Sequence, residues 1–376
     1  MAQKFLIALA VVAVHVVIIL AIFKGCTGDE PAMETAAEQA TAAETASSQE
    51  SPPPPPALPA GLAFEPYSDA YFTDRQQALP TKVATMAQKC TGGIAVDLSS
   101  RSIFWAKRPL DMQPIASMTK MMTAFLAIND IKTSQGALSL NTTVPVTRTA
   151  AAVGGRQVWL DPRETFTIDE LLKCILIRSA NDCAYLLGEF LGGGNEATFV
   201  ARMNAQAAQL GCKRLLFHNT HGLPSAKGEC MGAPQELAYL AGILMDVPEI
   251  VKWTSVRREY IRENTNKKFF LDTTNTLLKT CPGVNGMKTG MTNKAGYCIA
   301  ATCERNGRRV VVVLCGCPDR AARDNLGKEL IEWVYTLNWG EGRGARGEGR
   351  GARGEGLFLG ARGEGRDLGA RGEGLF

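Results

Sequence analysis

Hydrophobic positions divide this chain into an apolar N-terminal run, a polar stretch, a central region of mixed periodicities and a glycine-rich end. Residues 5–23, FLIALAVVAVHVVIILAIF, are apolar except for His15. At about 1.5 Å per residue such a helix nearly spans a ~30 Å hydrocarbon core. The run is longer than the core of a removable signal peptide and no small-x-small cleavage site closes it, so an uncleaved transmembrane anchor is expected over 1–24. Lys4 precedes the span, whereas Asp29, Glu30, Glu34, Glu38, Glu44 and Glu50 follow it. The positive-inside bias therefore puts the N-terminus in the cytoplasm and the rest of the chain outside the membrane. Gly25-Cys26 matches the Gly-Cys pair of a bacterial lipoprotein acceptor site, which Lys24 does not suit. Residues 25–61 are rich in Ala, Thr, Glu and Ser and close on Pro52–Pro56, a composition that cannot bury enough apolar surface to fold. They read as a Pro-rich stalk, extended at about 3.1 Å per residue over the proline run. Residues 339–376 repeat Gly-Ala-Arg-Gly-Glu-Gly and read as a low-complexity tail.

Between these ends, 62–338 carries two hairpin patterns with helices between them. Gly93–Leu98 and Ile103–Ala106 are short β-rich runs separated by polar residues. Gly296–Glu304 and Arg308–Cys315 flank Asn306-Gly307, a strong two-residue turn signal. In that register Cys298 faces Cys315 as a close pair, which fits either a cross-strand bridge or two small buried side chains. Helical periodicity runs from Ser117 to Ile128, with Pro114 barring an earlier start, and over Glu196–Leu210, Pro234–Met245 and Arg320–Tyr335. Glu170–Phe190 is helical too, but the polar Arg178-Ser-Ala-Asn-Asp182 interrupts it before Gly192-Gly-Gly194 ends it. Strands at both ends and helices in the middle predict an α+β fold, an antiparallel sheet flanked by helices with a mostly helical subdomain.

Composition excludes little else. With 45% hydrophobic residues the chain of 376 has ample apolar content for a packed core, and removing both ends leaves one domain of roughly 270 residues. A net charge of +4 is small for this length and argues against a nucleic-acid partner. Eleven cysteines in an exported protein raise disulfides, whose connectivity spacing cannot supply.

Three short stretches carry candidate chemistry. In Ser117-Met118-Thr119-Lys120 the two polar side chains stand three apart at a helix start, within reach of each other. A serine hydroxyl attacks only when a base takes its proton, and lysine serves as that base only where burial and a second cation lower its pKa. Lys288 is a candidate for that cation. The helix start also offers unpaired N–H groups for a developing oxyanion. Ser179-Ala180-Asn181 lies at the helical break, where Ser179 can relay a proton and Asn181 can orient Lys120 or the substrate amide. In Lys288-Thr289-Gly290, Lys288 and Thr289 can hold a terminal carboxylate while Gly290 lets a ligand approach the backbone. Each stretch alone has an ordinary reading, such as an N-capping serine or an edge-strand lysine. Three in order point to acyl transfer.

The chain resembles the serine-type D-alanyl-D-alanine carboxypeptidases among the low-molecular-mass penicillin-binding proteins, over roughly Phe64 to Leu337. Phe217-His-Asn-Thr-His-Gly-Leu-Pro224 and Gly283-Val-Asn-Gly-Met-Lys-Thr-Gly-Met-Thr292 are similar to stretches typical of that family. The resemblance implies Ser117 as acylated nucleophile, Lys120 as base, Ser179 and Asn181 as the second element, and Lys288 with Thr289 as carboxylate anchor. It further implies an oxyanion hole from the backbone N–H groups of Ser117 and Met291, with no metal or cofactor. The implied substrate is the peptidoglycan stem peptide, the implied inhibitors are β-lactam antibiotics, and the N-terminal helix would hold the site at the outer side of the cell membrane. A DD-endopeptidase of the same family, or a non-hydrolytic tethered binding protein, are the alternatives.

A class A β-lactamase would need a Glu-x-x-x-Asn loop, and no Glu here has Asn four residues later. A nucleophile elbow G-x-S-x-G is absent, as is H-E-x-x-H. His218 and His221 read as loop-structuring residues.

Overall fold

The run Val310–Val313 shows no polar alternation because both faces of its strand are covered. In the computed structural model, which describes residues 61–337 apart from 63 and 264, successive residues of this run enter two different cores. Val310, Val312 and Leu314 pack with Leu326, Leu330 and Val334 of the helix Arg320–Thr336. Val311, Val313 and Cys315 join the larger core, to which the helix Pro234–Leu244 contributes Leu237, Leu240 and Leu244. The expected anchor, the stalk up to residue 60 and the tail from 339 lie outside the described residues. Among the described residues no helix is long and apolar enough to cross a membrane.

The main sheet has six strands: β1 Thr73–Asp74, β2 Gly92–Asp97, β3 Ser102–Lys107, β4 Val284–Thr292, β5 Gly296–Arg305 and β6 Arg308–Cys317. Their order is β1-β3-β2-β6-β5-β4. All neighbours pair antiparallel except the two-residue β1, which runs parallel to β3. The antiparallel sheet and both hairpins stand as expected. Strand β4 is an edge, so one row of its backbone groups is left for something other than the sheet.

Against one face lies the helical subdomain. The helix Lys120–Thr133 is buried continuously from Lys120 to Asn129. Each fully buried Met, Leu or Phe of such a helix contributes about 1.5–3 kcal/mol. Its start differs from expectation. Ala116–Thr119 forms a 3₁₀ turn and the α-helix begins only at Lys120, because Ala116 is in a left-handed conformation with φ of 45°. The helical break also has a definite form: Ile168–Lys173 continues into a π-helical turn, Cys174–Arg178, which Ser179 ends at φ 68° before Asn181–Leu191 resumes. The helices Glu196–Gln209, Pro234–Leu244 and Arg320–Thr336 match their sequence patterns within two residues.

The hairpin β5–β6 keeps the expected register from Ile299↔Leu314 to Arg305↔Arg308, but it shifts between Tyr297 and Ile299, so that Tyr297 pairs with Cys317. Gly296 and Gly316, both at φ 63°, allow that irregularity, and it removes Cys298 from direct pairing with Cys315. Both thiols are buried and free, not bridged. The ten cysteines of the described residues are all buried and free.

Candidate active site

The 3₁₀ turn brings the first pair together. Side chains three apart eclipse in a 3₁₀ helix, and Lys120 Nζ lies 2.9 Å from Ser117 Oγ. Lys120 is fully buried whereas Ser117 is half-buried, so the hydroxyl faces a cleft and the amine lies behind it. Two more acceptors surround the amine: Asn181 Oδ1 at 2.7 Å and the His221 carbonyl at 2.5 Å. Burial lowers the Lys120 pKa to about 7, with the Arg156 charge adding to the fall. A neutral lysine has two N–H donors and one lone pair. With both donors spent on Asn181 and His221, the lone pair is left for the Ser117 proton.

Asn181 is held on all sides. Its amide nitrogen Nδ2 donates to the Gly154 carbonyl at 2.9 Å and its backbone N–H to the Arg156 carbonyl at 2.7 Å. Asp182 next to it is wholly buried and accepts N–H groups from Val158 and Leu160 at 3.1 and 3.3 Å. Burial raises its pKa, and those N–H groups oppose the rise.

Ser179 and Lys288 form a second pair, with Lys288 Nζ 2.9 Å from Ser179 Oγ and 2.9 Å from the Thr289 carbonyl. Lys288 is buried, which holds its pKa well below the ordinary amine value, and the Lys120 and Arg156 charges lower it further. Like charges this close disfavour a doubly protonated state. The Arg156 charge thus lowers the pKa of both lysines, while Lys120 and Lys288, the cation that the sequence suggested, bear on each other. An amine that loses its proton first exerts no charge on the other.

Thr289 Oγ1 lies 2.7 Å from Thr274 Oγ1. Gly290 allows a close approach of edge strand β4 to the turn that carries Ser117: a Cβ there would stand 2.6 Å from the Ile115 carbonyl oxygen and 3.2 Å from Ser117 N. Met291 follows with its side chain 52% exposed, so its side chain does not close the cleft. All eight sequence-predicted site residues thus gather where the 3₁₀ turn, the helical break and β4 meet. Sequence reading missed Arg156, Gly154, Asp182, Thr274 and the His221 carbonyl. The Gly154-Gly155 pair was the one available signal for the first of these. His221 is loop-structuring as read: its Nδ1 accepts from Leu223 N at 3.1 Å, and burial takes its pKa down to about 3.

A six-stranded, helix-flanked sheet with a serine–lysine pair at one edge strand is the arrangement of the penicillin-binding DD-peptidase fold. Penicillin-binding protein D2 from Listeria monocytogenes, in its ampicillin-bound form, superposes with a TM-score of 0.59 at 27% identity, over 66% of this chain and 98% of that one. The Streptomyces K15 DD-transpeptidase, 21% identical, shares the fold with a TM-score of 0.61, over 66% of this chain and 98% of that one. Residues 80–318 match the D-alanyl-D-alanine carboxypeptidase family, peptidase S11, and the chain belongs to that family. D-alanyl-D-alanine carboxypeptidase DacF of Bacillus subtilis is 32% identical over 255 residues, 68% of this chain and 64% of its own. DacC of Escherichia coli is 31% identical over 228 residues, 59% of this chain and 55% of its own. The chain thus spans less than two thirds of the length of these relatives.

Proposed function

We propose that this chain is a serine DD-carboxypeptidase that removes the terminal D-alanine from peptidoglycan stem peptides. The observation that carries the reading is the Lys120 amine, fully buried, with a pKa of about 7 and with its two donors engaged by Asn181 and His221, 2.9 Å from Ser117 Oγ. Lys120 takes the Ser117 proton as Oγ bonds to the penultimate D-Ala carbonyl carbon. Backbone N–H groups of Ser117 and Met291 receive the oxyanion, and Lys288 with Thr289 holds the terminal carboxylate. A carboxylate there favours the protonated form of Lys288. The C–N bond then breaks, the leaving amine takes its proton through Ser179, and water hydrolyses the Ser117 ester. A β-lactam acylates the same hydroxyl but keeps its leaving amine tethered, which slows deacylation.

The family membership and the names of the relatives support this substrate class. A purified chain should label with fluorescent penicillin and release D-alanine from a pentapeptide, and Ser117→Ala should lose both. No label on the wild type counts against the reading, and release of cross-linked dimers without free D-alanine would favour an endopeptidase.

The apolar run 5–23 and the acidic residues after it support a further proposal, attachment to the cell membrane with the catalytic domain on the cell-wall side. Recovery of the full chain in the soluble fraction after cell lysis would overturn that attachment.

A further inference from the structure

The loop 153–160 forms one wall of the site, and apart from the Arg156 charge only its backbone serves the chemistry above. It is tied to the second element by Asn181 N–H to the Arg156 carbonyl at 2.7 Å, Asn181 Nδ2 to the Gly154 carbonyl at 2.9 Å and Arg178 Nε to the Gln157 carbonyl at 3.2 Å. Val158 and Leu160 turn inward and are buried, while Trp159 between them stands at φ 56° and is 64% exposed. A non-glycine residue in that conformation is strained, and here it holds a large apolar ring toward solvent. Phe269 backs the ring edge-on at 5.9 Å, with the Arg178 guanidinium 5.8 Å from it.

The same loop is unbalanced in charge. The charges of Arg178 and Arg320 both act on Arg156. The nearby carboxylates of Asp161 and Glu164 are taken by Arg163, Arg262 and Lys267. Among the described residues no carboxylate pairs with Arg156, whose side chain is exposed. An exposed guanidinium without an anionic partner beside an exposed indole suits a ligand that is part apolar and part carboxylate.

Arg156 is three hydrogen bonds from the nucleophile, through Asn181 and Lys120. An extended peptide advances about 3.5 Å per residue, so a side chain one residue before the acylated one comes within reach of this wall. We propose that Arg156 and Trp159 form a subsite for the acyl side of the substrate, Trp159 covering the methylenes and Arg156 pairing with a carboxylate at the end of the side chain that precedes D-Ala-D-Ala. The inference rests on the carboxypeptidase reading.

The test uses the full chain and two peptides ending in D-Ala-D-Ala, whose preceding residue ends in a carboxylate or in the matching carboxamide. The wild type should favour the carboxylate peptide about tenfold in kcat/KM, the size of one charge-assisted hydrogen bond. Arg156→Gln should remove that preference and Arg156→Lys keep part of it, while Trp159→Ala should raise KM for both peptides. The Arg156 charge also acts on Lys120, so Arg156→Gln lowers both rates, and the ratio between peptides isolates the contact. Equal wild-type turnover of the two peptides, or a ratio untouched by Arg156→Gln, would overturn the subsite. Penicillin labelling without D-alanine release from either peptide would instead overturn the carboxypeptidase reading. The subsite is then read from protection against labelling: stronger protection by the carboxylate peptide, lost in Arg156→Gln, supports it, and equal protection overturns it.

Discussion

Lys288 Nζ lies 2.9 Å from Ser179 Oγ, and no hydrogen bond joins Ser179 to either Ser117 or Lys120 among the described residues. The site is therefore two lysine–serine pairs side by side, Ser117 with Lys120 and Ser179 with Lys288, and the proposed function assigns the first to the attacking hydroxyl and the second to the leaving amine. Ser179→Ala should slow penicillin acylation by about 10²–10⁴, the usual range for a proton-transfer group, while leaving the pH at which the rate turns on where the wild type has it. A shift of that limb by more than half a unit in the pH–rate profile would mean that Ser179 acts through Lys120 instead.

Lys120 sets that limb. Its pKa is depressed by burial first and Arg156 second, to about 7, and only the neutral amine accepts the Ser117 proton. Acylation should thus be near its plateau above about pH 8 and fall about tenfold per unit below about pH 6. Lys120→Arg, which cannot deprotonate in this range, should label at least about 10²-fold more slowly at every pH. A wild-type rate flat between pH 5 and 8 would remove lysine from the role of base.

The linkage of folding to the same proton has a definite sign. The folded pKa is about 7 and the unfolded value is that of an ordinary lysine, 10.5. Between them the unfolded chain binds more protons, so stability rises with pH across that window. Urea midpoints measured from pH 7 to 9.5 should climb more steeply for the wild type than for Lys120→Met, and parallel curves would contradict a neutral buried Lys120.

Much of this site was legible because its chemistry lies in short contiguous motifs. Ser117 and Lys120 meet through one turn, and Lys288 and Thr289 are neighbours on one strand, so spacing alone placed them. The break at Arg178–Asp182 was visible as polar residues in an apolar helix, although its π-helical turn and the left-handed Ser179 were not. What escaped depends on backbone groups. The His221 carbonyl, the Gly154 carbonyl and the Arg156 carbonyl bind whatever side chain stands at their own positions, and so leave no mark in residue type. The partner of Ser179 was also out of reach, since it follows from how β4 packs against the helical break, and so was the Arg156 charge acting on Lys120, which the loop 153–160 supplies. In the hairpin the turn residues fixed register near Asn306-Gly307, but the irregularity between Tyr297 and Ile299 is a property of Gly296 and Gly316 at its far end.

Two glycines test how tightly the turn that carries Ser117 is enclosed. At Gly222, φ is 83° and a Cβ would stand 2.0 Å from the Ala116 carbonyl oxygen, so Gly222→Ala combines strain with a backbone clash. It should cost about 2–4 kcal/mol in urea unfolding. At Gly290 the added Cβ would meet the Ile115 carbonyl oxygen at 2.6 Å without a left-handed φ. Gly290→Ala should stay folded but displace β4 from Ser117, lowering penicillin acylation more than about tenfold. Acylation at the wild-type rate would place the carboxylate anchor elsewhere than β4.

Away from the site, stability should be most sensitive at Arg308 and Asp97, whose side chains meet at 2.6 Å with 5% and 0% exposure across β6 and β2. Removing one partner strands the other charge out of water, so Arg308→Ala or Asp97→Ala should cost about 3–5 kcal/mol. Replacing both with apolar residues of similar volume, Arg308→Met with Asp97→Leu, leaves no stranded charge and should cost less than either single change. Arg308 also donates to the Leu337 carbonyl at 3.0 Å, so the double variant should fray first at the end of the helix Arg320–Thr336. Hydrogen exchange there reads the fraying, and a double variant less stable than both singles would mean that the pair contributes net attraction beyond compensating its own desolvation.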